Sequence, residues 1–129
     1  MAEPDLSKIH GSRILLVEDN ELNQQLATEL LRQRNFVVDV ALNGQEVLNV
    51  LRRQSYDLIL MDVQMPVMDG YEAIREIRSN IAISQPRIIV VSANVQPHDV
   101  SNSYNAGADG FLPKPLDRKA LMDIVNAIS

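Results

Sequence analysis

The stretch that decides the fold is Ile14–Asp19, whose sequence is ILLVED. Its first four residues form an uninterrupted apolar run, and two carboxylates follow directly. A short apolar run bounded by charged residues predicts a β-strand that is buried on both faces, as strands of parallel sheets are. Two further runs of this kind, LILM at residues 58–61 and IIVV at residues 88–91, predict two more buried strands.

Two weaker strands are predicted at Phe36–Ala41 and Phe111–Leu112. The first is rich in β-branched residues and is bounded by the turn residues Asn43 and Gly44. The second is interrupted by Pro113, and proline cannot donate to a central ladder. The fifth strand is therefore predicted to lie at an edge of the sheet.

The segments between the strands carry apolar residues at helical spacing. A weak helix is predicted over Pro97–Ala106 and ends at Gly107, and Asp117 is the predicted N-cap of the last helix. Alternation of five strands and five helices predicts an α/β fold with a parallel sheet and helices on both faces. The apolar positions of the other helices are Leu22, Leu26, Leu30 and Leu31; Val47, Leu48, Val50 and Leu51; Ala73, Ile74 and Ile77; and Leu121, Ile124, Val125 and Ile128.

Length and composition favour one globular domain. The chain has 129 residues, of which 46% are hydrophobic, so a real core is possible. We predict a tail or linker over residues 1–11 and the folded domain over residues 12–129. The absence of cysteine excludes disulfides and thiol chemistry, and the sequence has no run of about 20 apolar residues. A cytoplasmic location is therefore expected. The net charge of −5 argues against direct binding of nucleic acid, whose phosphates need clustered Lys and Arg.

Chemically active side chains follow several of the predicted strands. Glu18 and Asp19 follow the first strand, Asp62 the third, Ser92 the fourth and Lys114 the fifth. In an open parallel sheet the carboxyl ends of the strands meet at one crevice, so these residues are expected to lie together. Each of them alone is more often an ordinary surface, cap or turn residue than part of a site.

The combination of these side chains indicates a cation site. Three clustered carboxylates repel one another unless a cation lies among them. Ligands that are all oxygen atoms favour Mg²⁺ over Ca²⁺ and exclude softer metals. A carboxylate beside Mg²⁺ can attack phosphorus, and Lys114 and Ser92 can bind the remaining phosphoryl oxygens.

Four sequence blocks closely resemble the receiver domain family of response regulators. In family order and spacing, they are ILLVEDN at 14–20, MDVQMPVMDG at 61–70, VVSAN at 90–94 and GADGFLPKP at 107–115. The resemblance covers roughly residues 13–128. It implies a doubly wound (βα)5 flavodoxin-like fold with strand order 2-1-3-4-5.

The resemblance also implies a role for each site residue. Asp62 would accept the phosphoryl group, and Glu18, Asp19, Asp62 and the carbonyl of Gln64 would hold Mg²⁺. Lys114 would bind the phosphoryl group and precede a cis proline, and Ser92 and Phe111 would be the switch residues. Ser92 stands where threonine is commoner in the family, and Phe111 where tyrosine is frequent. Pro113 leaves the local strand pairing open.

The sequence around Asp62, together with Glu21–Asn23, looks most like receiver domains of hybrid sensor histidine kinases. Such domains exchange phosphate with a histidine kinase or a histidine-phosphotransfer domain, and their parent protein is often anchored in a membrane. The domain itself would not be an enzyme with a separate substrate, although it would promote its own phosphorylation and dephosphorylation. A stand-alone receiver, or one taken from a regulator with an output domain, is an alternative.

Three other functions fit the sequence less well. A flavodoxin-type flavin binder would need a loop rich in Ser, Thr and Gly at Glu18–Asn20. A haloacid-dehalogenase-type phosphatase would need its nucleophile after the first strand and an aspartate where Gln64 stands. An interaction module that had lost the chemistry would normally lack the acceptor Asp62 or Lys114. Addition of one phosphoryl group from a small-molecule donor with Mg²⁺ separates this last rival from a working receiver.

Overall fold

One five-stranded parallel sheet, in the order β2-β1-β3-β4-β5, forms the centre of the molecule. The structure is a computed structural model and describes residues 13–63, 70–114 and 117–128. Its strands are β1 (Arg13–Val17), β2 (Val37–Ala41), β3 (Leu58–Asp62), β4 (Arg87–Ser92) and β5 (Gly110–Pro113). Its helices are α1 (Glu21–Arg32), α2 (Gly44–Leu51), α3 (Gly70–Ser79), α4 (Pro97–Ala106) and α5 (Arg118–Ile128). The predicted alternation, strand order and parallel pairing are confirmed. The predicted tail at residues 1–11 lies outside the described residues.

The three apolar runs of the sequence are the three interior strands. Every residue of β3 is buried, and only the first residue of β1 and of β4 is not. Alternate residues of each strand point to opposite faces, so each strand contributes to two hydrophobic clusters. One cluster joins the sheet to α2, α3 and α4, and the other joins it to α1 and α5. The sheet is therefore covered on both faces, which explains why these strands are apolar throughout.

The edge strands differ slightly from the prediction. The second strand begins at Val37, one residue later than predicted, because the Phe36 backbone N–H donates to the Leu31 carbonyl of α1 at 3.3 Å. The fifth strand is an edge strand, as Pro113 predicted. It continues through Pro113, which lies opposite Ser92 in the parallel register with β4.

The helix boundaries follow from local capping. Asn20 caps α1 by accepting a hydrogen bond from the Asn23 backbone N–H at 3.1 Å. Asp117 accepts a hydrogen bond from the Lys119 N–H at 3.3 Å, in agreement with its predicted capping role. Gly107 ends α4 with φ of 119°, a left-handed conformation that glycine adopts without a steric penalty. Of the helices within the described residues, none has the length and apolar character needed to cross a membrane.

Arg78, in the last turn of α3, joins three segments of the chain. Its Nε donates to the carbonyl of Gly107 at 2.8 Å, and Nη1 donates to the carbonyl of Pro86 at 2.8 Å. Its Nη2 forms an ion pair with Asp109 at 2.7 Å. The same Asp109 oxygen accepts the backbone N–H of Ile88 at 2.9 Å. One guanidinium thus ties the end of α3 to the end of α4 and to the start of β4.

Candidate functional site

Three carboxylates meet where β1 and β3 end. Glu18, Asp19 and Asp62 each offer an oxygen, and these oxygens lie within 4.8 Å of one another. The parallel register places Val17 beside Met61, so the residues that follow on the two strands emerge side by side. Glu18 and Asp62 are buried, with 4% and 3% of their surface exposed, whereas Asp19 is exposed. The predicted convergence of these acidic residues is confirmed by their geometry.

Lys114 enters the cluster from the end of β5. Its backbone N–H donates to the carbonyl of Ser92 at 2.9 Å, which places the side chain next to the end of β4. Its Nζ donates to Oδ2 of Asp62 at 2.9 Å and to Oε2 of Glu18 at 3.0 Å. The sequence predicted that Lys114 would face the crevice, but not that it would bridge two of the carboxylates. One ammonium against three carboxylates still leaves the cluster negative.

The electrostatics of the site favour the charged forms of the bridged groups. Burial alone raises the pKa of the Glu18 carboxyl, but the hydrogen bonds from Asn23 and Lys114 and the attraction to the Lys114 ammonium outweigh burial. The pKa of Glu18 therefore lies below its ordinary value of 4.5. Partial burial lowers the pKa of Lys114, but hydrogen bonds and attraction to Asp62 and Glu18 outweigh that effect. The pKa of Lys114 therefore lies above its ordinary value of 10.5.

Ser92 and Phe111 occupy the neighbouring strands. Ser92 is buried at the end of β4, and its Oγ accepts the backbone N–H of Asn94 at 3.0 Å. Its hydroxyl proton can still be donated to another group. Phe111 lies on β5 opposite Val90, is partly buried, and packs against the hydrophobic cluster on the side of α2, α3 and α4. Gln64 and the Lys114–Pro115 peptide bond, both named in the sequence prediction, lie outside the described residues.

Two amides of α1 belong to the site, although the sequence did not point to them. Asn23 Nδ2 donates to Oε1 of Glu18 at 2.9 Å, and Gln24 Nε2 donates to the Glu18 carbonyl at 2.7 Å. The available signal was weak: two amides lie one turn into a helix that follows an acidic pair, and the resemblance through Glu21–Asn23 implies no role for Asn23 at the site. Their contact with Glu18 depends on side-chain rotamers that sequence periodicity does not reveal.

Gly70 is a further residue whose importance the sequence did not reveal. A Cβ at this position would lie 2.6 Å from the Cα of Val63 and 2.8 Å from the carbonyl oxygen of Asp62. These are backbone atoms, so no side-chain rotation can make room for it. The absence of a side chain at Gly70 therefore lets α3 begin directly against the end of β3, beside Asp62.

A cavity of about 310 Å³ extends from the carboxylates between α1 and the sheet. Its polar end is formed by Glu18, Asn23, Asp62 and Lys114. The rest of its wall is largely apolar and includes Leu26 and Leu30 of α1. Leu22 and Leu26 expose 63% and 55% of their surface on this helix. An acidic site is thus bordered by an exposed apolar strip.

Comparisons with known proteins agree on one family. The family described as "Response regulator receiver domain" matches residues 14–126. A two-component response regulator of Oryza sativa, ORR41, is 45% identical over 113 residues, which cover 84% of this chain and 87% of that protein. Hybrid signal transduction histidine kinase B of Dictyostelium discoideum is 41% identical over 115 residues, which cover 81% of this chain but only 6% of the kinase. The chain thus spans most of one relative and a small part of the other.

Solved structures extend this likeness to the fold. The receiver domain of a sensor histidine kinase from Pseudomonas aeruginosa has a magnesium ion coordinated in its active site cleft. It superposes with a TM-score of 0.82 at 39% identity, covering 90% of this chain and 95% of that chain. The receiver domain of the Saccharomyces cerevisiae regulator Ssk1, solved with the histidine phosphotransfer protein Ypd1, has a TM-score of 0.82 at 29% identity and covers 89% of this chain and 86% of that one.

The chain therefore belongs to the response regulator receiver domain family, as its sequence blocks predicted. Its function is that of a receiver in two-component phosphorelay signalling. This chain has three carboxylates that could hold a metal ion, and the Pseudomonas aeruginosa relative holds a magnesium ion in its active site cleft.

Proposed function

We propose that this domain accepts a phosphoryl group from a phosphohistidine onto the carboxylate of Asp62. The observation that carries the proposal is the position of Asp62. It is buried at the end of β3, shares a cluster with Glu18 and Asp19, and contacts the Lys114 ammonium at 2.9 Å. An aspartate that is only structural would not need two further carboxylates beside it, because like charges at this distance destabilise one another.

The oxygen ligands fit a hard divalent cation. Glu18, Asp19 and Asp62 supply carboxylate oxygens at mutual distances suited to a single ion, and we assign the carbonyl of Gln64 as an additional ligand. Mg²⁺ bound there supplies positive charge that offsets the repulsion between the acceptor carboxylate and the phosphoryl oxygens. The buried positions of Glu18 and Asp62 keep two of these ligands ordered before the ion arrives.

The transfer exchanges one bond for another. An oxygen of the Asp62 carboxylate forms a bond to phosphorus, while the bond between phosphorus and the donor imidazole nitrogen breaks. The nitrogen keeps the electron pair and takes up a proton, and Asp62 becomes an acyl phosphate. Lys114 binds a phosphoryl oxygen with its ammonium group, and Ser92 donates its hydroxyl proton to another. The domain promotes this transfer and also the hydrolysis of its product. In the hydrolysis, water attacks phosphorus, the bond between phosphorus and the Asp62 oxygen breaks, and inorganic phosphate leaves the restored carboxylate.

Ser92 and Phe111 are proposed to carry the signal away from Asp62. Phosphorylation adds about two negative charges that attract the Ser92 hydroxyl. A movement of Ser92 towards Asp62 changes the space beside β4, into which the partly buried ring of Phe111 can turn. The result is a shift between two populations of the same fold, which alters the surface formed by α4 and β5.

The proposed phosphodonor is a histidine kinase or a histidine-phosphotransfer domain. Leu26 lines the cavity that contains Asp62, and Leu22 is exposed on the same helix, so a helix carrying a phosphohistidine can dock on these side chains and reach Asp62. The yeast relative solved with a histidine phosphotransfer protein supports this class of partner. We propose a cytoplasmic location for the domain, as part of a hybrid kinase whose other parts are membrane-anchored.

Mass spectrometry with a small-molecule phosphodonor and Mg²⁺ tests the acceptor. The wild-type domain is expected to gain one phosphoryl group, and Asp62→Asn is expected to gain none. Asp123→Asn, which changes an exposed aspartate on α5, serves as the matched control and should be phosphorylated like the wild type. Wild-type protein that stays unmodified would favour an interaction module, and phosphorylation of Asp62→Asn would place the acceptor elsewhere.

A further inference from the structure

Both carboxylate oxygens of Glu18 are engaged by side chains from elsewhere in the fold. Oε2 accepts from Lys114 Nζ at 3.0 Å, and Oε1 accepts from Asn23 Nδ2 at 2.9 Å. Glu18 is 4% exposed, so little solvent is available to replace either partner. The direction in which the carboxylate presents its lone pairs is therefore set by these two contacts.

The backbone of Asn23 is hydrogen-bonded at the start of α1. Its backbone N–H donates to Oδ1 of Asn20, the residue that caps the helix, at 3.1 Å. The following residue, Gln24, fixes the backbone of Glu18 by donating to its carbonyl at 2.7 Å. The start of α1 thus donates hydrogen bonds to both the main chain and the side chain of Glu18. Rigid support of this kind keeps a metal ligand in one orientation.

We propose that Asn23 is a positioning residue for the metal site and acts through Glu18. The inference deepens the proposed function and rests on it, because Glu18 is there a ligand of Mg²⁺. Asn23 does not touch the phosphoryl group. It holds the Glu18 carboxylate so that one oxygen remains directed towards Asp19 and Asp62, and this reduces the conformational entropy that ion binding must remove.

The test compares Asn23→Ala with Gln25→Ala by isothermal titration with Mg²⁺ alone. Both substitutions remove one exposed amide from α1, but among the described residues the hydrogen bond to the Glu18 carboxylate comes from Asn23 and not from Gln25. We expect the Mg²⁺ dissociation constant of Asn23→Ala to rise about 10-fold, as is usual when the support of a metal ligand is lost. The constant of Gln25→Ala should equal that of the wild type. Because alanine favours helix more than asparagine does, Asn23→Ala should fold normally.

A second measurement separates positioning from general damage. In phosphorylation by a small-molecule donor, Asn23→Ala should need about 10-fold more Mg²⁺ for half-maximal rate, yet approach the wild-type rate at saturating Mg²⁺. Equal Mg²⁺ affinity in Asn23→Ala and the wild type would overturn the proposal, as would a rate that saturating Mg²⁺ does not restore. Wild-type protein that binds Mg²⁺ but accepts no phosphoryl group would instead contradict the proposed function, and the titration would still decide the role of Asn23.

Discussion

Lys114 is bonded to the same carboxylates that are proposed to hold the metal. Its ammonium occupies lone pairs of Oδ2 of Asp62 and Oε2 of Glu18. From the sequence, a bound cation is expected to relieve the repulsion among the acidic residues, but Lys114 already relieves part of it. Because the ammonium already offsets part of the negative charge of these carboxylates, we expect Lys114 to weaken the binding of Mg²⁺.

Replacement of Lys114 by methionine should have opposite effects on metal binding and on chemistry. Lys114→Met is expected to bind Mg²⁺ several-fold more tightly, because the competing ammonium is gone, and to be phosphorylated more slowly, because a phosphoryl ligand is gone. Without Mg²⁺, its unfolding free energy should fall by about 1–2 kcal/mol, an estimate reduced for the partial exposure of the lysine. Magnesium titration, phosphorylation kinetics and urea denaturation measure the three quantities.

Lys119→Met is the matched control for this change. Lys119 is paired with Asp123 at 3.0 Å, but its side chain is 83% exposed and lies on α5. Exposed pairs of this kind contribute little, so none of the three quantities should change appreciably. Weaker Mg²⁺ binding in Lys114→Met than in the wild type would show that the lysine assists the ion rather than competing with it.

At the level of secondary structure, the contact between α3 and β3 determines where Asp62 lies. The Gly70 backbone N–H donates to the carbonyl of Val63 at 3.3 Å, so the first residue of α3 contacts the residue that follows β3. A Cβ on Gly70 would meet backbone atoms of both Asp62 and Val63 at less than 3.0 Å. A displacement of α3 would therefore also displace Asp62.

Gly70→Ala is expected to displace α3 or the end of β3. We expect a loss of unfolding free energy of about 2–3 kcal/mol, since neither backbone segment can yield without breaking contacts. The rate of phosphorylation should fall as well, because Asp62 moves.

The control variant is Gly110→Ala, whose Cβ would meet only the terminal carbon of Ile89 at 2.7 Å. That side chain can rotate, so the loss of stability should be smaller and phosphorylation should be largely kept. Similar losses of stability in the two variants would refute this explanation.

At the level of the whole molecule, sequence patterns predicted the fold well. The apolar runs identified the interior strands, because only strands covered on both faces can be apolar throughout. Once the sheet is parallel, the carboxyl ends of its strands must meet, and that rule placed Asp62 and Lys114 together. The resemblance added strand order and residue roles.

The contacts that the sequence did not predict are those between side chains distant in the chain. Arg78 meets Asp109 across 31 residues, and Lys114 meets Glu18 across 96. No periodicity marks such partners, since each depends on the rotamers and on the packing of two separate elements. The same holds for Asn23, whose contact with Glu18 is local but whose spacing resembles that of any polar helix residue.

The stability of the domain should depend on pH through Glu18. The pKa of Glu18 is lower in the folded chain than its ordinary value of 4.5. Between these two pH values, the unfolded chain therefore binds more protons than the folded chain. The stabilisation is thus complete above pH 4.5 and is lost as the pH falls through the lower folded pKa. Urea denaturation of metal-free protein should show Glu18→Gln to be less sensitive to acid than the wild type. Glu29→Gln, at an exposed site on α1, is the control and should retain the wild-type slope.

The bonds of Arg78 give α4 a pivot. The guanidinium holds the carbonyl of Gly107 just beyond the last turn, whereas Pro97 at the other end lies on the exposed surface. A rotation of α4 about its C-terminal end would keep these bonds, and it would have to break the longer hydrogen bond of 3.4 Å from the Tyr71 hydroxyl to the Asp99 carbonyl near the other end. The helix has 10 residues, which makes a lever arm of roughly 15 Å. A swing of roughly 10° then carries Pro97 through about 2.6 Å while Gly107 stays in place, so a small change near β4 is magnified at one end of α4 only.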